Sequence, residues 1–182
     1  MAKKQAEVLA SGIPVHCAHD ALVDTDTLIG NPANPNRHPD EQIRLLAKII
    51  ATQGWRAPIT VSTRSGFIVR GHGRLMAAKA AGLTECPVDY QGYENDAAEW
   101  ADLIADNRLA ELAEIDRPAL KDLLESLDVG PEFDAELCGF TTEALEALMS
   151  EVHIEEPDDI ESAGSRGEAT CPNCGHVFAL AN

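Results

Sequence analysis

The spacing of apolar residues changes several times along the chain, and each change marks an element. Ile43, Leu46, Ala47 and Ile50 fall at i, i+3, i+4 and i+7, the stripe of an amphipathic helix. Pro39 suits a first turn, Asp40 and Glu41 complement the positive end of the helix dipole, and Gly54 stops the helix. Pro58-Ile-Thr-Val-Ser-Thr63 and Phe67-Ile-Val-Arg70 flank the turn Arg64-Ser-Gly66 and predict a hairpin. Leu75 to Ala81 is a run of strong helix formers ended by Gly82, and Cys86-Pro-Val-Asp-Tyr90 reads as a short strand. From Asn95 the chain turns helical, with Trp100, Leu103, Ile104, Leu109 and Leu112 at approximate helical spacing. Asp116-Arg-Pro118 opens another helix, with Leu120, Leu123, Leu124 and Leu127 on one face and Gly130 after it, and Thr142 to Val152 gives a further one.

The remaining stretches set the boundaries. Residues 1–20 lack periodicity and read as a loose tail or an edge strand. Ala21 to Ile29 reads as a strand leading into a loop, Asn31 to Pro39, with three prolines and three asparagines. Glu155 to Gly167 is acidic and rich in small residues, the composition of a linker. The expected organisation is a tail (1–20), a core (21–93), an acidic helical extension completing the same domain (94–152), a linker (153–168) and a cysteine-bearing tail (169–182). Strands and helices mixed in this way predict an α+β fold, a small mixed sheet flanked by helices with a helical C-terminal extension.

Composition narrows this picture. At 182 residues and 45% hydrophobic residues a core can form, and with only 4% aromatics that core must be aliphatic. No apolar run reaches the length of a spanning helix, and the first residues carry no apolar stretch of signal-peptide length. The expectation is a cytoplasmic protein without a membrane partner. Five cysteines, an odd number, do not suggest a disulfide framework. Cys17, Cys86 and Cys138 stand isolated and are expected as buried small hydrophobes.

Charge divides the chain in two. The net charge of −17 would repel nucleic acid if it were uniform, but it is not. Residues 94–161 hold 22 acids and 3 bases, whereas residues 37–79 hold eight bases against Asp40 and Glu41. Any anion site should therefore lie in the earlier segment. The acidic half reads first as a solvated face, and second as a contact for a protein partner.

The sharpest chemical signal is Gly71-His-Gly-Arg74, between a strand and a helix. The glycines let the backbone turn tightly, and the opening amides of the helix are unpaired donors. Arg74 adds a planar guanidinium suited to phosphate, and His72 can donate, accept or titrate. Together they describe a phosphate site. Read blandly, the same residues make a glycine turn beside a solvent-facing arginine.

Segments 34–39 (NPNRHP), 42–61 (QIRLLAKIIATQGWRAPITV) and 67–88 (FIVRGHGRLMAAKAAGLTECPV) together resemble the ParB N-terminal domain of the ParB/sulfiredoxin superfamily. The resemblance spans roughly residues 21–110 and implies that fold, with CTP or another nucleotide as ligand. Asn34, Pro35 and Arg37 are similar to the opening block of the domain, and Gly54-Trp-Arg-Ala-Pro58 to a loop that wraps the nucleotide, which nominates Gly54 and Arg56. The family's phosphate turn is Gly-Glu-Arg-Arg. Gly71 and Arg74 match it, His72 replaces the Glu, and Gly73 replaces the first Arg, so one cationic group is missing. Asp106-Asn107 falls where members carry Glu-Asn, and the resemblance implies Mg²⁺ held there through oxygen atoms. Sulfiredoxin chemistry is excluded, because the residue after Gly71 is histidine and not cysteine.

Two functions follow from the resemblance, which is strongest to ParB-like domains of phages and prophages often found with DNA methyltransferases. One is a binding module, with Arg37, Gly54, Arg56, Gly71, His72, Gly73, Arg74 and Asn107 holding a nucleotide or DNA phosphate, and a methyltransferase, another phage protein or a second copy of the chain as partner. The other is a metal-dependent nuclease or phosphotransferase, with Asp106 and Asn107 on Mg²⁺ and His72 as acid or base; Asp40 and Glu41 are weaker candidates. Separately, Cys171-Pro-Asn-Cys174 with His176 is half of a zinc knuckle. His153, Cys138 or a second chain would have to complete the four ligands, or the tail carries no metal.

Overall fold

The computed structural model describes residues 8–126 and 134–150, together with two strands at 168–170 and 177–179. Residues up to Ser150 form one compact unit, and residues from Glu151 onward a second.

The first unit is built on a five-stranded mixed sheet. In chain order its strands are β1 (Leu9–Ala10) and β2 (Ile13–Pro14), which pair only with each other, then β3 (Ala21–Asp24), β4 (Ile29–Gly30), β5 (Ile59–Ser62), β6 (Phe67–Arg70) and β7 (Glu85–Gln91). The sheet order is β3-β7-β5-β6-β4. β5 and β6 form the expected hairpin, closed by Gly66 at a left-handed φ of 76°. β7 enters between β3 and β5, antiparallel to the first (Ala21 opposite Val88) and parallel to the second (Ile59 opposite Val88).

Two helices cover the sheet. α1 (Asp40–Gln53) carries Asp40 and Glu41 in its first turn and ends at Gly54, whose φ is 79°. α2 (His72–Ala80) follows β6 through Gly71. Ile43 and Ile50 from α1, Leu75, Ala77 and Ala78 from α2, and Ile59, Val61, Ile68, Cys86 and Val88 from the sheet form one aliphatic core around Trp55.

Residues 8–20 depart from the expected tail. Ala10 is fully buried, Ile13, Val15 and Cys17 pack on the core, and Val15 bridges to Trp55 in parallel. Two-residue strands leave no alternation to read, which hides them in the sequence.

α3 (Asp96–Glu111) is capped by Asn95, whose side chain accepts from the Ala98 amide at 2.9 Å. Of its expected stripe only Leu103 is buried; Trp100, Ile104, Leu109 and Leu112 are exposed. What α3 buries beside Leu103 is the carboxylate of Glu99, 2% exposed, which accepts from Ser62 and Ser65 of the β5–β6 turn, each at 2.7 Å. α4 (Arg117–Ser126), a 3₁₀ turn (Ala135–Cys138) and α5 (Thr142–Ser150) follow. Leu124 is buried and Leu123 exposed, while Leu127 and Gly130 lie outside the described residues. Cys86 is buried as expected, but Cys17 is only partly buried and Cys138 is exposed, at the end of a surface turn.

The acidic half is not simply solvated. Asp96 pairs with Arg64, Asp102 and Asp106 with Arg70, Asp134 with Lys48, and Glu136 with Arg44 and Lys48. Each exposed pair contributes little by itself, yet together they occupy half of the basic segment. Lys79 pairs with Asp26. Among the described residues, Arg37, Arg56 and Arg74 are the cations of that segment with no carboxylate within ion-pair distance.

In the second unit β8 (Glu168–Thr170) and β9 (Val177–Ala179) pair antiparallel, Thr170 opposite Val177. The linker and the Cys171, Cys174 and His176 set lie outside the described residues. No described helix is long and apolar enough to cross a membrane.

Candidate functional site

The chain leaves β6 at Arg70 and enters α2 at His72, so one residue must reverse it. Gly71 does so as the N-cap, at φ 93° and ψ 26°, in the left-handed region that side chains disfavour. The helix therefore begins three residues earlier than its run of helix formers, and His72, Gly73 and Arg74 stand in its first turn.

Arg74 is half-buried rather than solvent-facing. Its Nη1 donates to the Pro58 carbonyl at 2.9 Å, beneath the turn. Burial lowers its pKa, opposed by the charges of Asp106 and Cys17. Glycine at 71 is what allows this placement, because a Cβ there would sit 2.9 Å from that same Nη1.

His72 is fixed by the loop before α1. Its Nε2 accepts from the Asn31 amide at 3.1 Å, so the ring is neutral and carries its proton on Nδ1. Burial, and then the neighbouring His38, lower its pKa. His38 in turn bonds Gln42 Oε1 at 3.0 Å and lies against Gly73, where a Cβ would meet the imidazole at 3.2 Å. The position at which the family carries an additional arginine is thus crowded by a histidine from another element, which would have to shift to admit a side chain.

α3 supplies the opposite wall. Asp102 accepts from Arg70 Nη2 and, at 2.7 Å, from the Tyr93 hydroxyl. Burial raises the Asp102 pKa, but the Arg70 and Tyr93 bonds outweigh it and hold the carboxyl below its ordinary value. Asp106 lies 3.8 Å from Arg70 Nε. Asn107 donates to the Leu103 carbonyl at 3.0 Å, a bond that leaves its side-chain oxygen as an acceptor.

These groups enclose a cavity of about 230 Å³ lined by Asn34, His38, Arg70, the whole Gly71–Arg74 turn, Asp106 and Asn107. The structure brings together six of the residues nominated from sequence: Gly71, His72, Gly73, Arg74, Asp106 and Asn107. Arg37 lines a neighbouring cavity. Gly54 and Arg56 line neither. Gly54 is pressed against Pro14 and His16, and Arg56 is exposed with its Nε on the Gln53 carbonyl at 3.1 Å. Asp40 and Glu41 lie in the first turn of α1 and also line neither cavity. Sequence reasoning missed His38 and Arg70. The first was legible only as part of the NRHP block, and the second as the last residue of a strand.

The described residues contain no group of three His, Cys, Asp or Glu placed to hold a metal. Asp106 and Asn107 are two oxygen donors on one cavity wall, which suits Mg²⁺, an ion that completes its shell with water and ligand phosphates.

A mixed sheet whose glycine turn faces an acidic helix across a polar cavity defines an α+β domain class, and the comparisons narrow it. Residues 15–107 match the ParB N-terminal domain model, and the chain belongs to that family. It is 36% identical over 55 residues to the ParB-like nuclease domain-containing protein YnaK of Escherichia coli K12, covering 30% of this chain and 62% of that protein. Its fold is similar to that of a C-terminally truncated chromosome-partitioning protein ParB from Caulobacter crescentus complexed with CTP-gamma-S. That match has a TM-score of 0.56 and 25% identity over 71% of this chain and 76% of that one.

Proposed function

We propose that the domain binds a nucleoside triphosphate by its phosphates in the cavity at the β6–α2 turn. The observation that carries this reading is the convergence there of the open amides of α2, the side chain of Arg70 and the oxygen donors Asp106 and Asn107. The similar fold of a ParB complexed with CTP-gamma-S supports the same class of ligand. In this reading Asp106 and Asn107 hold Mg²⁺, which would neutralise phosphate charge when bound, and Arg74 braces the turn from beneath.

The setting we infer, from the resemblance alone, is DNA binding or modification in phages and mobile elements. A DNA methyltransferase, another phage protein or a second copy of the chain is the partner in that setting. Zn²⁺ at Cys171, Cys174 and His176 belongs to this reading through its sequence: the strands β8 and β9 flank a Cys-Pro-Asn-Cys-Gly-His connection.

The second reading, a metal-dependent nuclease or phosphotransferase, draws on the named nuclease domain of YnaK and on Asp106 and Asn107. It requires His72 to work from Nδ1, since Nε2 is occupied by the Asn31 amide. Calorimetric titration of the purified chain with CTP, ATP and GTP, with and without Mg²⁺, tests the first reading. Saturable, Mg²⁺-dependent binding is expected, and heat indistinguishable from dilution for all three refutes it. Turnover of nucleotide or DNA that His72→Ala abolishes would establish the second.

A further inference from the structure

Phosphate in the cavity at the β6–α2 turn calls for positive charge, and the arginines there already have protein partners. Arg74 gives Nη1 to the Pro58 carbonyl at 2.9 Å. Arg70 donates to Asp102 and has Asp106 3.8 Å from its Nε. Asp106 itself lines the cavity and adds negative charge, and Gly73 brings no side chain at all.

We propose that His38 is a phosphate-binding residue of this site, supplying as an imidazolium the cation that the turn lacks at Gly73. The inference rests on the phosphate reading. It adds to that reading one residue, and a dependence on pH that an arginine would not confer.

The position of the ring comes first. His38 lines the cavity from the loop before α1. A Cβ on Gly73 would lie 3.2 Å from its Cε1, 3.3 Å from Nδ1 and 3.6 Å from Nε2. The imidazole thus stands against the first turn of α2, beside amides that have no partner within the helix.

The second observation is the state of its nitrogens. Nδ1 lies 3.0 Å from Gln42 Oε1, an atom that can only accept, so Nδ1 carries the proton of the neutral ring. Nε2 is then a lone pair with no hydrogen-bond partner among the described residues. A proton taken up there makes a second donor and leaves the Gln42 bond intact. His72 differs in this respect. Its Nε2 already accepts from the Asn31 amide, and protonation would set two donors against each other.

The charges around His38 have both signs. Arg70, His72 and Arg74 line the cavity from the turn, and Asp106 lines it from α3. Arg37 precedes His38 in its loop, and Asp40 and Glu41 follow in the first turn of α1. The positive end of α2 disfavours a cation beside it, and a bound phosphate outweighs that effect. Phosphate binding and protonation of His38 therefore favour each other, and the linkage is reciprocal. Imidazole changes charge between about pH 5 and 8, whereas guanidinium stays charged throughout.

Calorimetry of the full chain with CTP and Mg²⁺, in buffers of unlike ionisation enthalpy, counts the protons taken up on binding. Comparing wild type with His38→Gln removes the protons that belong to the nucleotide. We expect more uptake by wild type, and an affinity ratio of wild type to His38→Gln that grows about tenfold from about pH 8 to pH 5.5. Equal uptake and a constant ratio would overturn the proposal and leave the phosphate reading intact, even with His38→Gln weaker at every pH, since a merely structural ring gives that result. Proton NMR of the six histidines of wild type needs no variant. One imidazole should titrate at higher pH with CTP bound than without, and six unchanged titrations would overturn the proposal. No binding of CTP to wild type at either pH would overturn the phosphate reading and this inference with it.

Discussion

Replacing Gly71 with alanine tests the turn on which the site is built. The cost has two parts that the structure separates. An L-residue held in the left-handed region loses about 1–2 kcal/mol. The new Cβ would also sit 2.9 Å from Arg74 Nη1 and 3.4 Å from the Ile59 Cα. The backbone of β5 cannot give way, so the guanidinium must leave the Pro58 carbonyl, and a charged hydrogen bond of this kind is worth about 1.5–3 kcal/mol. The sum is about 3–4 kcal/mol, taking the arginine to recover some hydration, which for a chain of this length lowers Tm by about 6–16 °C. Gly82→Ala is the internal control. Gly82 has a φ of 70°, and a Cβ there would meet no atom within 4 Å. It therefore carries only the conformational part, about 1–2 kcal/mol. Urea and thermal unfolding followed by circular dichroism measure both. Equal losses in the two variants would refute the argument that Arg74 is packed beneath the turn, and an unchanged Tm for Gly71→Ala would refute the turn itself.

Other consequences are more easily stated. His72 has its pKa lowered from 6.5 by burial, so the unfolded chain takes up the proton first as pH falls. Its contribution to stability is whole above about pH 6.5 and is lost as pH drops through the lower folded-state value. Urea midpoints between about pH 8 and pH 5 should fall more for wild type than for His72→Gln, and parallel curves would exclude burial of a neutral His72 as a source of the pH dependence. Glu99→Ala removes the acceptor of two serine hydroxyls at a buried position and should cost about 2–3 kcal/mol, read from the urea midpoint; a loss below about 0.5 kcal/mol would mean that the carboxylate does not hold the β5–β6 turn. The Cys86 thiol is pushed up to about 11 by burial and should resist alkylation until the chain unfolds, whereas exposed Cys138 should label at once; mass spectrometry of labelled peptides decides it, and early labelling of Cys86 would contradict its burial.

The parts of the fold legible in the sequence are those with a long period or a strong stop. The stripe of α1 and its terminal Gly54, the β5–β6 hairpin, and the glycine-flanked start of α2 all lie where local chemistry places them. The residues of the candidate cavity were mostly legible too, since four are consecutive and two adjacent. What could not be read depends on distant partners. β7 pairs in parallel with β5, a relation that leaves no turn signal. His38 occupies the space beside Gly73 across an intervening helix and hairpin, so the missing arginine reads in sequence as a gap and in structure as a crowded position. The excess of acid after residue 94 reads as a solvated surface, because sequence does not show that α3 lies along the hairpin that carries Arg64 and Arg70.

The position of β7 bears on how the chain is made. β3 has no neighbour in the sheet except β7, while β4, β5 and β6 can pair among themselves. As the polypeptide emerges from the ribosome, Ala21–Asp24 must wait, with its backbone groups unsatisfied by the sheet, until Glu85–Gln91 has been synthesised. A nascent chain arrested before that strand has its hairpin but an open edge where β7 would enter, the kind of edge that recruits foreign strands. Successful maturation therefore depends on elongation through this stretch outpacing encounters between unfinished copies.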